Sequence, residues 1–296
     1  MKEQKNWTEI ITPERKFFSL KLNEVLDYWD LILLFVRRDF VSFYKQTILG
    51  PAWYVLQPLI QTCIYALMFG SAFKIAKETS VPSFLFYLSG TVSWWYFAQS
   101  VTKTSNTFTA NAHIFGKVYF PRLTVPFSIL ISNLIGFSIQ FFLFICIYTG
   151  YIFFGGFESQ IGLNEILWIP VLIINMAMLG LGIGLIISSL TTKYKDFQQF
   201  IGFGVQLLMF ASPVILPISI AEKMSNENPE GWGGLLKTVL EYNPMSPIIE
   251  GFRSVFFTDY QFDINRIGYS LSIGFILFIF GALLFRKTEQ NFMDTV

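Results

Sequence analysis

Six continuously apolar stretches run through the chain, at 52–73, 84–101, 127–154, 169–190, 199–220 and 267–285, and none contains Asp, Glu, Lys, Arg or His. The hydrocarbon core of a bilayer is about 30 Å thick, and a helix of about 20 apolar residues crosses it. Each stretch therefore reads as a transmembrane helix. Barrel strands would alternate apolar and polar positions over about 10 residues, whereas these stretches are apolar on every face. The predicted fold class is an all-α polytopic membrane protein with six transmembrane helices.

Ahead of the first stretch the pattern changes. Leu22, Val25, Trp29, Ile32, Val36, Phe40 and Phe43 recur at steps of three or four, while Glu24, Asp27, Asp30, Arg38, Ser42 and Lys45 fall largely off that stripe. This spacing predicts an amphipathic helix lying along the cytoplasmic membrane surface, apolar face down. The alternative, a helix packed on a small soluble domain, has little else in the first 50 residues to pack on. Leu49-Gly50-Pro51 then break the pattern, and Pro51 suits the first turn of the next helix. The chain divides accordingly into a cytoplasmic segment 1–50, a six-span domain 51–285 and a cytoplasmic tail 286–296.

Three connections stand out. Residues 102–126 read as a short cytoplasmic helix of mixed face, ended by Pro121-Arg122. Residues 191–198 carry Lys193, Lys195 and Asp196 at a span end. Residues 221–266 are too long for a plain turn, and after the Asn243-Pro244 and Ser246-Pro247 breaks they hold an amphipathic pattern of Ile248, Ile249, Phe252, Val255 and Phe256. That helix is expected to lie on, or dip into, the outer membrane face, with Glu250 and Arg253 on its polar side.

Composition sharpens the picture. The chain has 296 residues, 53% hydrophobic, 18% aromatic and 14% charged, against roughly 25% charged in an ordinary soluble domain. A formal charge of +1 provides no field for gathering nucleic acid. The basic residues set the orientation. Eight precede Pro51, and Lys103, Lys117, Arg122, Lys193, Lys195, Arg286 and Lys287 share their side; Lys74, Lys77, Lys223, Lys237, Arg253 and Arg266 lie on the other. The positive-inside bias places both termini in the cytoplasm. The first 30 residues lack a basic start followed by a compact apolar core, so no cleavable signal peptide is expected. On the cytoplasmic side the Asn6-Trp7-Thr8 sequon carries no meaning. Cys63 and Cys146 fall in different spans and read as packing residues.

Several chemistries are missing. The one Gly-Lys pair, Gly116-Lys117, is followed by Val118, so the phosphate-binding loop of an ATPase is absent. Gly180, Gly182 and Gly184 lie inside an apolar stretch and suit close helix packing rather than a dinucleotide fingerprint. His113 has no ligand-spaced Cys, Asp or Glu, and no metal site is expected. Spans without an ionisable group argue against a proton- or sodium-driven carrier. No nucleophile-base or paired-carboxylate arrangement suggests an enzyme. A passive pore, a scaffold, or a transport subunit powered by another chain remains.

Particular residues narrow this choice. Arg37-Arg38-Asp39-Phe40, the run Tyr44-Lys45-Gln46-Thr47-Ile48-Leu49-Gly50-Pro51-Ala52-Trp53, and Gln57-Pro58-Leu59 open the chain. Asn111, Lys117-Val118-Tyr119-Phe120-Pro121-Arg122 and Pro126 follow, then Tyr194-Lys195-Asp196, Ser212-Pro213-Val214, Tyr242-Asn243-Pro244-Met245-Ser246-Pro247 and Arg253. In this order the chain resembles the membrane subunits of type-2 ABC exporters for O-antigen, capsular polysaccharide and teichoic acid. The resemblance covers nearly the whole chain except the lead at 1–19. It implies a homodimer of six-span subunits, each bound to a separate ABC ATPase that holds ATP and Mg, with a path for a lipid-linked glycan between the copies. It implies an interface helix at 22–45 and a coupling helix carrying Asn111, His113, Phe115, Lys117, Tyr119 and Arg122, with Lys195 and Asp196 in the next cytoplasmic turn. An outer gate would include Pro244, Pro247, Phe252 and Arg253. The chain itself would have no catalytic residues.

Sugars present apolar C–H faces and many hydroxyls, so their conduit needs aromatic platforms and neutral polar groups. Tyr54, Gln57, Gln61 and Tyr65 in the first stretch, with Tyr87, Trp94, Trp95 and Tyr96 in the second, are the candidate lining. Aromatic residues also collect at membrane interfaces for reasons unrelated to cargo. The expected function is the membrane subunit of an ATP-driven exporter of lipid-linked polysaccharide, O-antigen or capsule, in a bacterial inner membrane. A teichoic acid exporter and a motor-independent pore or scaffold are the alternatives.

Overall fold

The structure, a computed structural model, describes residues 22–45, 48–72, 81–155, 157, 166–192 and 196–292. The predicted lead and Lys74, Lys77, Lys193 and Lys195 lie outside the described residues. Every regular element among these residues is helical. At the start, α1 (Leu22–Asp27) and α2 (Trp29–Lys45) are separated by Tyr28 alone. A short 3-10 turn at Gly50–Ala52 leads into α3 (Trp53–Ala72). Then come α4 (Ser83–Ser105), α5 (Thr107–Phe115), α6 (Thr124–Gly155) and α7 (Ile169–Thr191). After these, α8 (Phe197–Phe210), α9 (Ile218–Glu227), α10 (Trp232–Tyr242), α11 (Ser246–Phe256) and α12 (Ile264–Phe292) complete the order.

The centre of the bundle is α4, which packs against α3, α6, α7, α8 and α11. It is also rich in hydroxyl-bearing side chains. The hydroxyls of Ser89, Thr91 and Ser93 donate to the carbonyls of Phe86, Tyr87 and Ser89 at 2.8–2.9 Å, so the helix satisfies these three hydroxyls from its own backbone. That makes a helix of modest hydropathy tolerable in the middle, where its neighbours shield it from lipid. The α7 glycines act as the pattern predicts. A β-carbon on Gly182 would stand 2.6 Å from the Leu277 carbonyl carbon and 2.7 Å from the Phe278 nitrogen, so the backbones of α7 and α12 pack directly. Gly180 and Gly184 similarly admit Ser100 and Thr104 of α4.

Four of the described helices, spanning Gly50–Gly70, Thr124–Gly155, Ile169–Thr191 and Ile264–Gln290, are long and apolar enough to cross a bilayer. The second predicted crossing is the 23-residue α4, which has the length but is diluted by Ser, Thr, Tyr, Trp and Gln. The predicted crossing at 199–220 is not one helix. The 14 residues of α8 are roughly 21 Å long, and the chain then unwinds through 211–217 before α9 begins. Pro213 lacks the N–H that would continue the helix, and it biases Ser212 away from helical geometry. The proline signal was present, but the apolarity of the stretch hid it.

The predicted interface helix is broken at Tyr28, and its face is corrected. Val25, Ile32, Phe35 and Val36 are buried against Phe108, Phe115, Phe120 and Leu123 rather than against lipid. The apolar side chains that stay exposed are Leu26, Trp29, Leu33 and Leu34. Residues 22–45 thus carry two apolar faces, one against the base of the bundle and one outward, and the outer face is the one suited to a membrane surface. The connection at 221–266 is also more ordered than expected. It folds into α9 and α10, which pack together, and into α11, which is buried against α4, α7 and α12 instead of lying on the surface.

Candidate coupling face, path and outer clamp

At one end of the molecule, α5 and the turn to α6 form a presented tip on a rigid base. Asn106 opens α5 and donates to the Thr102 carbonyl at 3.0 Å. Phe108 stacks on Phe285 of α12 with centroids 4.4 Å apart, while Phe115 meets Phe120 and Phe120 meets Phe35 of α2. Between these anchors the chain turns outward. Lys117 and His113 are exposed, Val118 is exposed, and Tyr119 is 94% exposed. Phe115 and Asn111 face inward, the latter donating to the Thr107 carbonyl at 3.0 Å.

Arg122 is buried rather than displayed. Its Nη1 donates to the Glu289 carbonyl at 2.8 Å, its backbone N–H donates to Glu289 Oε1 at 3.3 Å, and its guanidinium lies 5.4 Å from the Phe115 ring centre. Burial pulls its affinity for the proton down, and Glu289 opposes that. Arg122 therefore ties the tip to the end of α12. A cavity of about 550 Å³ opens beside this tie, with Glu24, Lys117, Tyr119, Arg286 and Glu289 among its walls. The first helix, the tip and the final turns of the last helix share one end of the molecule. Asp196 is exposed beside the start of α8, and Lys195 lies outside the described residues. The contribution of Arg286 and Glu289 was missed because residues past the last span read only as a charged tail, and that of Glu24 because it read only as the polar side of the first helix.

The candidate path residues divide into two groups. Tyr87, Trp94 and Tyr96 are packed in the core of the single chain, Tyr96 against Phe137 at 5.5 Å and Trp94 against Phe97 at 5.1 Å. They do not line an open face of this chain. The other group marks one face of α3, along which Tyr54 is buried and Gln57 exposed. Tyr54 meets Trp95 edge-on at 5.6 Å, and Gln61 Nε2 donates to the Tyr65 hydroxyl at 2.8 Å. Gln61 and Tyr65 both touch Met209 Sδ of α8, and Gln57 is exposed. Alongside it, α3 and α8 display Ile60, Ile64, Leu67, Phe200, Phe203 and Leu207.

Of the candidate gate residues, Pro247, Phe252 and Arg253 are buried and Pro244 is half-buried. Arg253 is 0% exposed, and its guanidinium lies 3.7 Å from the Phe86 ring centre. Its Nη1 donates to the Pro213 carbonyl at 2.6 Å; Nη2 donates to the Phe86 and Val214 carbonyls at 3.3 Å, and Nε to Ser89 Oγ at 3.4 Å. The polar-side placement predicted for Arg253 is thus corrected: it turns inward to satisfy the carbonyls released where the helix after α8 unwinds. Asn243, missed as a site residue, does the same for Ala211, donating to its carbonyl at 2.7 Å. The Pro244 carbonyl accepts from Ser270 at 2.6 Å, Pro247 sits in the first turn of α11, and Phe252 packs on Phe137 and Phe141. Glu250 is pushed above the usual carboxylate range by burial, with Arg253 and Arg266 pulling it back.

Comparison with known proteins gives the chain relatives over most of its length. Over 280 residues the chain is 28% identical to the O-antigen export system permease protein RfbA of Klebsiella pneumoniae, covering 93% of this chain and 99% of that one. It is 21% identical over 276 residues to a protein of the same name from Myxococcus xanthus, covering 93% and 98%. Residues 30–257 match the family described as ABC-2 type transporter. With a match over most of its length, on a multi-helix apolar bundle with a projecting tip, the chain belongs to the ABC-2 type transporter family of membrane transport subunits.

Proposed function

We propose that this chain is the membrane subunit of an exporter that carries lipid-linked polysaccharide of the O-antigen type across a bacterial inner membrane. In this reading it crosses six times with both termini in the cytoplasm, α4 and the broken α8 region supplying the two crossings of lower hydropathy or length. It works as a homodimer, with the apolar faces of α3 and α8 meeting a second copy. ATP and Mg are held by a separate ABC ATPase, and hydrolysis there moves the helices as rigid bodies. The observation that carries the reading is the tip at Val118-Tyr119, a large aromatic held in water between the buried anchors Phe115 and Phe120. Exposed aromatic groups on a fixed base are typical anchors for a partner's pocket. The names of the relatives support the cargo class.

Purification in mild detergent from the native host tests this. An ATP-hydrolysing partner should co-purify with the wild type and be lost with Tyr119→Asp, while the variant remains folded. Transport by the isolated chain, or co-purification without any ATPase, would favour a motor-independent pore instead.

A further inference from the structure

Near the cytoplasmic end of α4 stands a cation that the coupling face does not use. Lys103 Nζ donates to Asn133 Oδ1 at 2.9 Å, and Lys103 remains exposed on the chain. Asn133 is 1% exposed, lies on the uncharged helix α6, and has a buried amide nitrogen with no hydrogen-bond partner. Lys103 makes no ion pair among the described residues. The Asp39 carboxylate acts on both Lys103 and Tyr54 electrostatically, but its Oδ1 is already held by Arg38 at 2.8 and 2.9 Å.

The position matters as much as the charge. Trp95, Gln99 and Lys103 follow one another at steps of four along α4, and Trp95 touches Tyr54 at the start of the Tyr54-Gln57-Gln61-Tyr65 face of α3. An uncharged strip of aromatic and amide groups therefore ends, about 12 Å lower along α4, in a positive charge. A Lys near a helix end ordinarily reaches freely to the membrane–water interface, but Lys103 Nζ is instead held by Asn133, which fixes its charge where the strip ends. A neutral hydroxyl-rich cargo has no use for it. The phosphate that joins a glycan to its lipid does, because at the edge of the low-dielectric layer an ammonium attracts an anion more strongly than in bulk water.

We propose that Lys103, held in place by Asn133, docks the lipid-borne phosphate of the cargo at the cytoplasmic entrance of the strip. This rests on the exporter reading. The phosphate could belong to the cargo lipid or to an ordinary anionic phospholipid, and the proposal commits to the first. The test uses the complex with its ATPase in nanodiscs of zwitterionic phosphatidylcholine, with a polyprenyl diphosphate as probe and neutral polyprenol and phosphatidylglycerol as competitors. Wild type and Lys103→Arg should bind the probe, and Lys103→Gln should bind it at least about tenfold more weakly, a difference of about 1.4 kcal/mol. Neither competitor should displace it. Equal binding by Lys103→Gln overturns the proposal, and so does displacement by phosphatidylglycerol, which makes Lys103 a general lipid anchor. Should Lys103→Gln fail to fold, a photoreactive polyprenyl diphosphate on the wild type decides the matter. Its label must fall within 99–106 or 129–136, and label confined to other segments refutes the assignment. Failure of the exporter reading itself shows separately, as a chain that purifies without an ATPase.

Discussion

Arg253 illustrates how one buried charge holds a membrane fold together. Its guanidinium fills three carbonyl acceptors, two of them on the unwound residues Pro213 and Val214. Removing it leaves those groups unpaired in an apolar interior, so Arg253→Ala should destabilise the protein by about 1–3 kcal/mol for each carbonyl left without a donor, read as a large fall in the melting temperature of the detergent-solubilised chain. Gly90 is part of the same clamp. A β-carbon there would stand 2.9 Å from Arg253 Nη2 and 3.3 Å from the Val214 Cα. Gly90→Ala should therefore cost about 1–3 kcal/mol, and an unchanged melting curve would show that the clamp is slack. Arg253 was legible in the sequence as a basic residue in an apolar helix, but its inward direction was not. A helical pattern places a side chain on a face without saying which neighbour covers that face.

Among the elements, the joint of α5, α6 and α12 is the one that the proposed docking of a partner at the tip would move. Phe108 on Phe285 and Arg122 on Glu289 fasten the tip to the last helix. In the proposed reading, a push on Tyr119 would pass into α12, and from there into α7 across the Gly182 contact. Arg122→Glu should weaken ATPase docking by loosening the tip from behind rather than by losing a surface contact. Hydrogen exchange should rise in 116–123 and in the end of α12 together; exchange that rises in the tip alone would break the link. Gly182→Val forces a branched side chain into the backbone of α12, and should abolish a monodisperse preparation rather than merely slow export. The pairing at Arg122 could not be read from sequence, since the two residues are separated by more than half the chain and each is unremarkable locally.

At the scale of the whole molecule, charge and apolar surface are sorted by position. The first helix, the tip and the final turns of the last helix gather at one end, and α11, the unwound segment and the start of the last helix at the other. Between them α3 and α8 leave Ile64, Leu67, Phe200 and Phe203 uncovered. A second copy meeting these faces would bury them beside the strip that runs past Tyr65. Phe200→Glu with Phe203→Glu should shift the purified complex toward a single copy of this chain, measured by light scattering or native mass spectrometry. A doubly charged variant that keeps its oligomeric state would move the interface elsewhere.

The apolar stretches, their helical nature and the interruption at Leu49-Gly50-Pro51 were written in the residues themselves. Hydrophobicity, chain length against bilayer thickness and the geometry of proline are local properties. The order of motifs pointed to the transporter family by resemblance, each motif being a short run of neighbouring residues. Tertiary structure decided the rest. It split the crossing at 199–220, because Arg253 and Asn243, far along the chain, supply the donors that let backbone unwind in an apolar setting. It also turned Tyr87, Trp94 and Tyr96 inward while leaving Gln57 outside, because periodicity draws a stripe on a helix and only packing chooses its partner.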